Sequence, residues 1–147
     1  MFGGATSVLT PVVSRSLAEQ IRLGQAPALS RPADLAQHTL AEEDDTKAST
    51  EFLTWRPWLT RHGEPTLQPK RWLYLNFTYQ QVQAALAGQG VALARLALVG
   101  EMLDRGELIE PFGPSRRVAS PYAYWLIVAH PGSETRPEVA LFARWLE

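Results

Sequence analysis

The stretch Ala84-Ala85-Leu86-Ala87-Gly88-Gln89-Gly90-Val91-Ala92-Leu93 constrains this chain more than any other. It reads as a helix stopped at one glycine and turned at a second into a buried strand. Upstream, Thr78 is placed to cap the helix. Tyr79, Val82 and Leu86 fall at i, i+3 and i+7 and form one apolar stripe. Gly88 suits the helix end and Gly90 the tight turn, because glycine carries no Cβ penalty at positive φ. The result is a helix-to-strand unit whose helix N-terminus, with unpaired N–H groups and a positive dipole end, faces whatever lies beyond Thr78.

The rest of the chain repeats this alternation. Val8 to Val13 reads as a buried strand, and Ser16-Leu17-Ala18-Glu19 has the form of a capping box opening a helix with Leu17 and Ile21 inward. A loop from Gln25 to Pro32 and one helical turn at Ala33 to Ala36 lead into a strand near His38 to Leu40, followed by an acidic surface loop from Glu42 to Thr50. Pro57 fits a first helical position, and that helix ends before Gly63. Strands are expected at Arg71–Leu75 and Leu108–Ile109. A helix with Leu96, Val99 and Leu103 inward is expected to stop near Gly106. Tyr122 to Ala129 is an apolar run between Pro121 and Pro131, as for a strand covered on both faces. The last helix, opened by Thr135-Arg136-Pro137-Glu138, turns Val139, Phe142, Trp145 and Leu146 to a core. Strands alternating with helices predict an α/β, Rossmann-like, mostly parallel sheet with flanking helices.

Composition narrows the function. With 14 Lys and Arg against 15 acids, the net charge of −1 gives this chain no electrostatic grip on DNA or an anionic membrane. There is no cysteine, so disulfides and thiolate chemistry are excluded. No run approaches the roughly 18 apolar residues of a membrane helix, and no basic-then-apolar leader opens the sequence. A soluble, cytoplasmic protein without membrane contact is the expectation. No metal is expected: His38, His62 and His130 are scattered, and Glu42-Glu43-Asp44-Asp45 lacks the turn-linked spacing of a calcium loop, so it reads as a solvated acidic loop. Gly88-x-Gly90 lies at a helix end and lacks a third glycine, so it is no dinucleotide fingerprint and no cofactor is expected. No serine sits in a Gly-x-Ser-x-Gly elbow, and nothing supports catalysis. Arg116-Arg117 reads as solvated charge in a Gly-Pro-Ser loop.

Several of these motifs occur together in one family. Leu75-Asn76-Phe77-Thr78 is followed by Val82, Ala84-Ala85, Gly88 and Gly90-Val91-Ala92-Leu93, then by Asp104, Gly106-Glu107-Leu108 and Pro111-Phe112. To these are added Leu9-Thr10-Pro11-Val12-Val13-Ser14, Trp55-Arg56-Pro57-Trp58-Leu59 with Gly63, Tyr122 to Val128, and the closing Phe142-Ala143-Arg144-Trp145-Leu146. In this order and spacing they resemble the effector-binding domain of LysR-type transcriptional regulators, in the branch of glycine-cleavage activators and β-lactamase regulators. The resemblance implies a type 2 periplasmic-binding-protein-like fold, present in part. Residues 1–119 would form the second effector-binding subdomain, and residues 120–147 the returning strand and closing helix of the first. It implies a homo-oligomer that reads DNA only through a helix-turn-helix domain absent from this chain, so the chain reads as a fragment. Arg95 departs from the proline many relatives carry after the Gly-Val-Ala-Leu run.

The resemblance also implies a small-molecule effector, carboxylate-bearing in one version, bound between the subdomains by Asn76, Phe77, Thr78 and Tyr124. Read by itself, Thr78 is either an N-cap or a ligand contact beyond the carboxyl end of a strand. Asn76 and Phe77 flank it, lining the same cleft or packing within the strand end. Tyr124 is either a cleft phenol or a core aromatic with a satisfied hydroxyl. Three other readings are a stand-alone solute-binding module, a non-functional truncation, and a small α/β enzyme using the strand-end loops.

Overall fold

The computed structural model describes residues 2–44, 53–130, 132 and 135–146, and for residues 2–6 and 124–126 the backbone alone. In chain order the elements are β1 (Phe2–Ser14), α1 (Arg15–Arg22), a 3-10 segment (Pro32–Gln37), β2 (Thr39–Glu43), α2 (Trp55–Arg61), β3 (Arg71–Leu75), α3 (Thr78–Leu86), β4 (Val91–Arg95), α4 (Leu96–Asp104), β5 (Leu108–Ile109), a 3-10 turn (Pro114–Arg116), β6 (Val118–Leu126) and α5 (Pro137–Leu146). The sheet order is β3-β2-β4-β1-β5, with β6 also paired to β1. The α/β layering is as expected. Its parallel part is β3, β2 and β4, while β1 runs antiparallel to β4, β5 and β6.

Strand alternation divides the core into two layers. Leu9, Val13, Leu40, Val91 and Leu93 meet Trp55, Trp58 and Leu59 of α2 on one face. Val12, Ala41, Ala92 and Ala94 meet Val82 and Ala85 of α3 and Val99 of α4 on the other. The α3 stripe therefore centres on Val82 and Ala85, and Tyr79, expected inward, is exposed.

The signature turn holds, with one change of reason. Gly88 lies at φ +73°, its N–H bonding the Ala85 carbonyl while the Gln89 N–H bonds that of Ala84, the paired ending of a Schellman motif. Gly90 does not adopt positive φ. What it provides is proximity: a Cβ there would lie 2.5 Å from the Thr39 carbonyl oxygen of the neighbouring β2.

Caps and strand ends shifted where a distant partner decided them. Ser14, not Ser16, starts α1, its Oγ accepting from the Leu17 N–H at 3.0 Å. Helix α2 begins two residues before Pro57, because the Trp55 N–H finds the Glu42 carboxylate at 2.8 Å. Strand β2 runs through Glu43 instead of ending at Leu40, since all five of its residues pair with β3. The remainder of the expected acidic loop, Asp45 to Thr50, lies outside the described residues.

The return strand sits four residues earlier than the apolar run suggested. Strand β6 starts at Val118 because Leu9 pairs with Val118 on one side while pairing with Arg95 on the other. Among the described residues it has β1 alone as a partner, so Pro121 is tolerated inside it. Pro11 of β1 falls between its β6 partners, which end at Leu9, and its β5 partners, which begin at Val13, so its missing N–H interrupts no ladder on that side. The closing helix departs furthest from expectation. Phe142, Trp145 and Leu146 are exposed, Trp145 by 76%, and Ala143 is the buried residue of α5. No sheet covers that apolar face among the described residues.

Arg117 is not a solvated charge. Its Nε and Nη2 donate to the two Glu110 oxygens at 2.8 and 2.7 Å, and the buried Thr10 hydroxyl donates to the same carboxylate. This clamp ties the loop before β6 to the centre of β1. The guanidinium bond holds the Glu110 carboxyl below its ordinary value, against the smaller opposing effect of burial. A depressed folded-state pKa stabilises above the unfolded value, about 4.3, and that stability is lost as pH falls through the folded pKa. Arg117→Gln is therefore expected to destabilise the fold at pH 7. Urea titrations of both proteins should converge as pH falls below about 4. A difference that persists unchanged at pH 3 would show that the clamp is not ionic.

Candidate functional site

The carboxyl ends of the parallel strands carry a corner where the chain reverses its winding. Strand β2 is followed by α2 on one face of the sheet, and its neighbour β3 by α3 on the other. Adjacent strands whose connections leave to opposite faces open a crevice between their ends, which is where open α/β sheets bind ligands. Two consecutive acids end β2 in this crevice, and alternation sends them to opposite faces. Glu42 reaches the α2 side and accepts the Trp55 N–H; Glu43 reaches the α3 side, where Thr78 Oγ1 donates to its Oε2 at 2.7 Å. Each carboxylate thus sits at the first residue of the helix on its own face, where the orphan N–H groups favour negative charge.

Thr78 is not the N-cap. Phe77 occupies that position, and Thr78 is the first helical residue with its hydroxyl committed to Glu43. The end of the helix is completed by Gln80, whose Oε1 accepts from the N–H groups of Asn76 at 3.0 Å and Phe77 at 3.2 Å. Phe77 and Tyr79 are both exposed and stack with centroids 5.9 Å apart, forming an aromatic wall beside the hydroxyl. The Asp44 N–H bonds the Leu75 carbonyl at 2.7 Å and closes the β2–β3 end. Burial pushes the Glu42 carboxyl above its ordinary value, against the opposing effects of the Trp55 N–H and the Arg56 charge.

Of the four residues expected to bind, Asn76, Phe77 and Thr78 are brought together. Tyr124 lies in β6 opposite Ala5, on the far side of β1 from the parallel strands, and its side chain lies outside the described part of the structure. Glu42 and Glu43 were missed because an acidic run reads as solvent-facing. The signal available was their place at a strand end just before a helix. Among the described residues no three His, Asp or Glu side chains form a metal-holding group, and no helix is long and apolar enough to cross a membrane. His38 is buried with Nε2 3.1 Å from the Ala28 carbonyl, and His62 stacks on Trp58, so neither is incidental surface.

The mixed α/β sheet with helices on both faces defines a domain of the periplasmic-binding-protein-like kind, the fold shared with solved effector domains. The effector domain of the transcriptional regulator AmpR of Pseudomonas aeruginosa superposes with a TM-score of 0.69 at 26% identity over 99% of this chain and 62% of that one. The AmpR effector binding domain from Citrobacter freundii gives 0.66 at 22% identity over 98% and 64%, a likeness of fold alone. The LysR substrate binding domain family matches residues 12–147, and the chain belongs to that family. Among curated relatives it is 29% identical to the HTH-type transcriptional activator AmpR of Enterobacter cloacae over 82% of its length. It is 28% identical to the glycine cleavage system transcriptional activator of Escherichia coli over 84%, and 29% identical to the HTH-type transcriptional regulator TrpI of Pseudomonas aeruginosa over 99%. The chain spans 37 to 45% of the length of these relatives.

Proposed function

We propose that this chain is the effector-sensing part of a cytoplasmic LysR-type transcriptional regulator, and that it binds and relays without turnover. The observation that carries the reading is the Glu43–Thr78 corner at the switch point of a LysR-family domain. All three relatives named above are transcriptional regulators. In this reading residues 1–119 form one effector-binding subdomain, and residues 120–147 belong to a second whose remainder lies elsewhere in the protein. The uncovered apolar face of α5 supports that division, since Phe142, Trp145 and Leu146 at helical spacing are built to face a layer. DNA is read by a separate helix-turn-helix domain in a homo-oligomer, consistent with the net charge of −1 here.

The effector sits against Asn76, Phe77 and Thr78, with Tyr124 on β6 as the fourth residue that the family resemblance assigns to the cleft. Because the Thr78 proton is committed to Glu43, the hydroxyl offers its lone pairs to an incoming group. That favours an N–H donor at this spot over the bare carboxylate expected from the family resemblance, which would meet the Glu43 charge. An effector shifts the two subdomain arrangements only by its differential affinity for them, typically about 1–3 kcal/mol. In the intact regulator Thr78→Val and Tyr124→Phe are expected to reduce effector-dependent transcription roughly tenfold each, within that range. DNA affinity without effector should stay within about twofold, since neither residue faces DNA in this reading. Unchanged induction in both variants would remove the assignment.

A further inference from the structure

A second concavity lies on the other face of the sheet. A pocket of about 630 Å³ opens between α2 and the start of β6, lined by Arg56, Pro57, Trp58, Thr60 and Arg61 on one side and by Leu9 with Val118 to Pro121 on the other. Its volume falls in the range of small-molecule sites. None of Asn76, Phe77 or Thr78 touches it. Strand order separates its β1–β6 wall from the Thr78 corner by three to four strand spacings, roughly 14–19 Å. The sheet itself also intervenes, since α2 packs on the face opposite α3.

The lining is of two kinds. Leu9, Pro57, Trp58, Val118 and Pro121 supply an apolar bed, and two guanidinium groups supply positive charge; no acid is among the lining residues. Arg56 is held in place, its Nη1 donating to the carbonyls of Pro65 at 2.8 Å and Leu67 at 3.1 Å, and its charge also acts on nearby Glu42. Arg61 has no acidic partner among the described residues, so its fork is the one available to an incoming anion. Ser120 is buried, and its Oγ accepts the Tyr122 N–H at 3.1 Å, a bond that does not consume its own proton. Trp58 is fixed by its indole N–H on the Arg116 carbonyl at 3.0 Å and by stacking on His62 and Phe112.

We infer that this pocket binds a small organic monoanion, a carboxylate on a flat apolar body, with Arg61 and the Ser120 hydroxyl holding the head and Trp58, Pro57 and Val118 the body. A guanidinium and a carboxylate pair in matched planar geometry, and the apolar bed rewards a hydrocarbon body over a bare ion. Strands β1 and β6 pair on from this level, at Leu9 and Val118, toward Phe2 and Leu126. A ligand here ties α2 to the base of that ribbon. A modulating role for it rests on the regulatory reading above; the binding itself does not.

The test is a titration of the 147-residue chain with phenylacetate and, separately, phenylacetamide at constant ionic strength, followed in 1H–15N NMR spectra. The expected result is saturable shifts of the Trp58 indole N–H and of the Arg61 and Ser120 amides, with phenylacetate binding roughly tenfold or more tighter than the neutral amide, as a charged hydrogen bond requires. Arg61→Gln, at a solvent-exposed position, should abolish that preference. Thr78→Val should leave the titration unchanged, which separates this site from the effector corner. Equal binding of the amide, shifts centred on Asn76 to Thr78, or shifts that never saturate would each overturn the inference.

Discussion

Trp55→Ala is expected to destabilise the chain by about 3–5 kcal/mol, a large share of the 5–15 kcal/mol typical of a domain. Trp55 is fully buried and meets Trp58 edge to face, with centroids 5.6 Å apart. Its indole N–H donates to the Ala41 carbonyl at 2.9 Å, and its backbone N–H to Glu42 at 2.8 Å. Truncation opens a cavity beneath β2 and removes the indole hydrogen bond to the Ala41 carbonyl in the same step, while the backbone bond to Glu42 survives. Trp55→Phe restores most of the volume but not the donor, so it should cost about 0.5–1.5 kcal/mol, the net worth of one hydrogen bond. Urea unfolding followed by circular dichroism measures both without relying on the deleted fluorophore. A cost below about 1 kcal/mol for the alanine variant would mean that α2 is not seated on the sheet as described.

Gly90→Ala is expected to cost about 3 kcal/mol, at the upper end of overpacking, because the new methyl meets backbone and not a flexible side chain. The atoms in its way are the Thr39 carbonyl oxygen at 2.5 Å and the Thr39 carbonyl carbon and Cβ at 3.1 Å. Strand β2 must shift against β4, carrying Glu42 and Glu43 with it. Gly88→Ala is the internal control. There the methyl would have only the Ser14 hydroxyl oxygen at 3.6 Å, so the expected cost is the left-handed backbone strain of about 1–2 kcal/mol. The order of the two thermal midpoints decides the point: equal or reversed costs would show that conformational freedom, not strand proximity, is what Gly90 provides.

The two glycines mark how far local reasoning reaches. Both were recognised as necessary from the helix-to-strand pattern, and at Gly88 the reason was also right, since a helix end is settled by its own last turn. At Gly90 the reason lay in Thr39, fifty-one residues earlier, which no window around the glycine contains. The same division runs through the Glu43–Thr78 corner. Asn76, Phe77 and Thr78 were singled out from their place between a strand and a helix, and they lie at the β3–α3 junction. That the Thr78 hydroxyl belongs to Glu43, and the start of α2 to Glu42, follows from the parallel pairing of β2 with β3. An acidic run carries no mark of that pairing.

Period and punctuation determined the α/β class, the strands Arg71–Leu75 and Leu108–Ile109, the helix ends at Gly63, Gly88 and Gly106, and, through ordered motifs, the LysR family. These are short-range properties: side-chain alternation, orphan helix-end groups and the freedom of glycine act within a few residues. Tertiary structure alone decided that β1 runs against β4, that β6 begins at Val118, and that α5 leaves Phe142 and Trp145 bare. It alone decided that Arg117 clamps Glu110 and that a cationic pocket lies behind α2. Each of these depends on which strand or charge arrives from elsewhere in the chain. Burial and pairing are properties of an assembled surface, and an apolar stripe in sequence states only that a helix has a face, not that anything covers it.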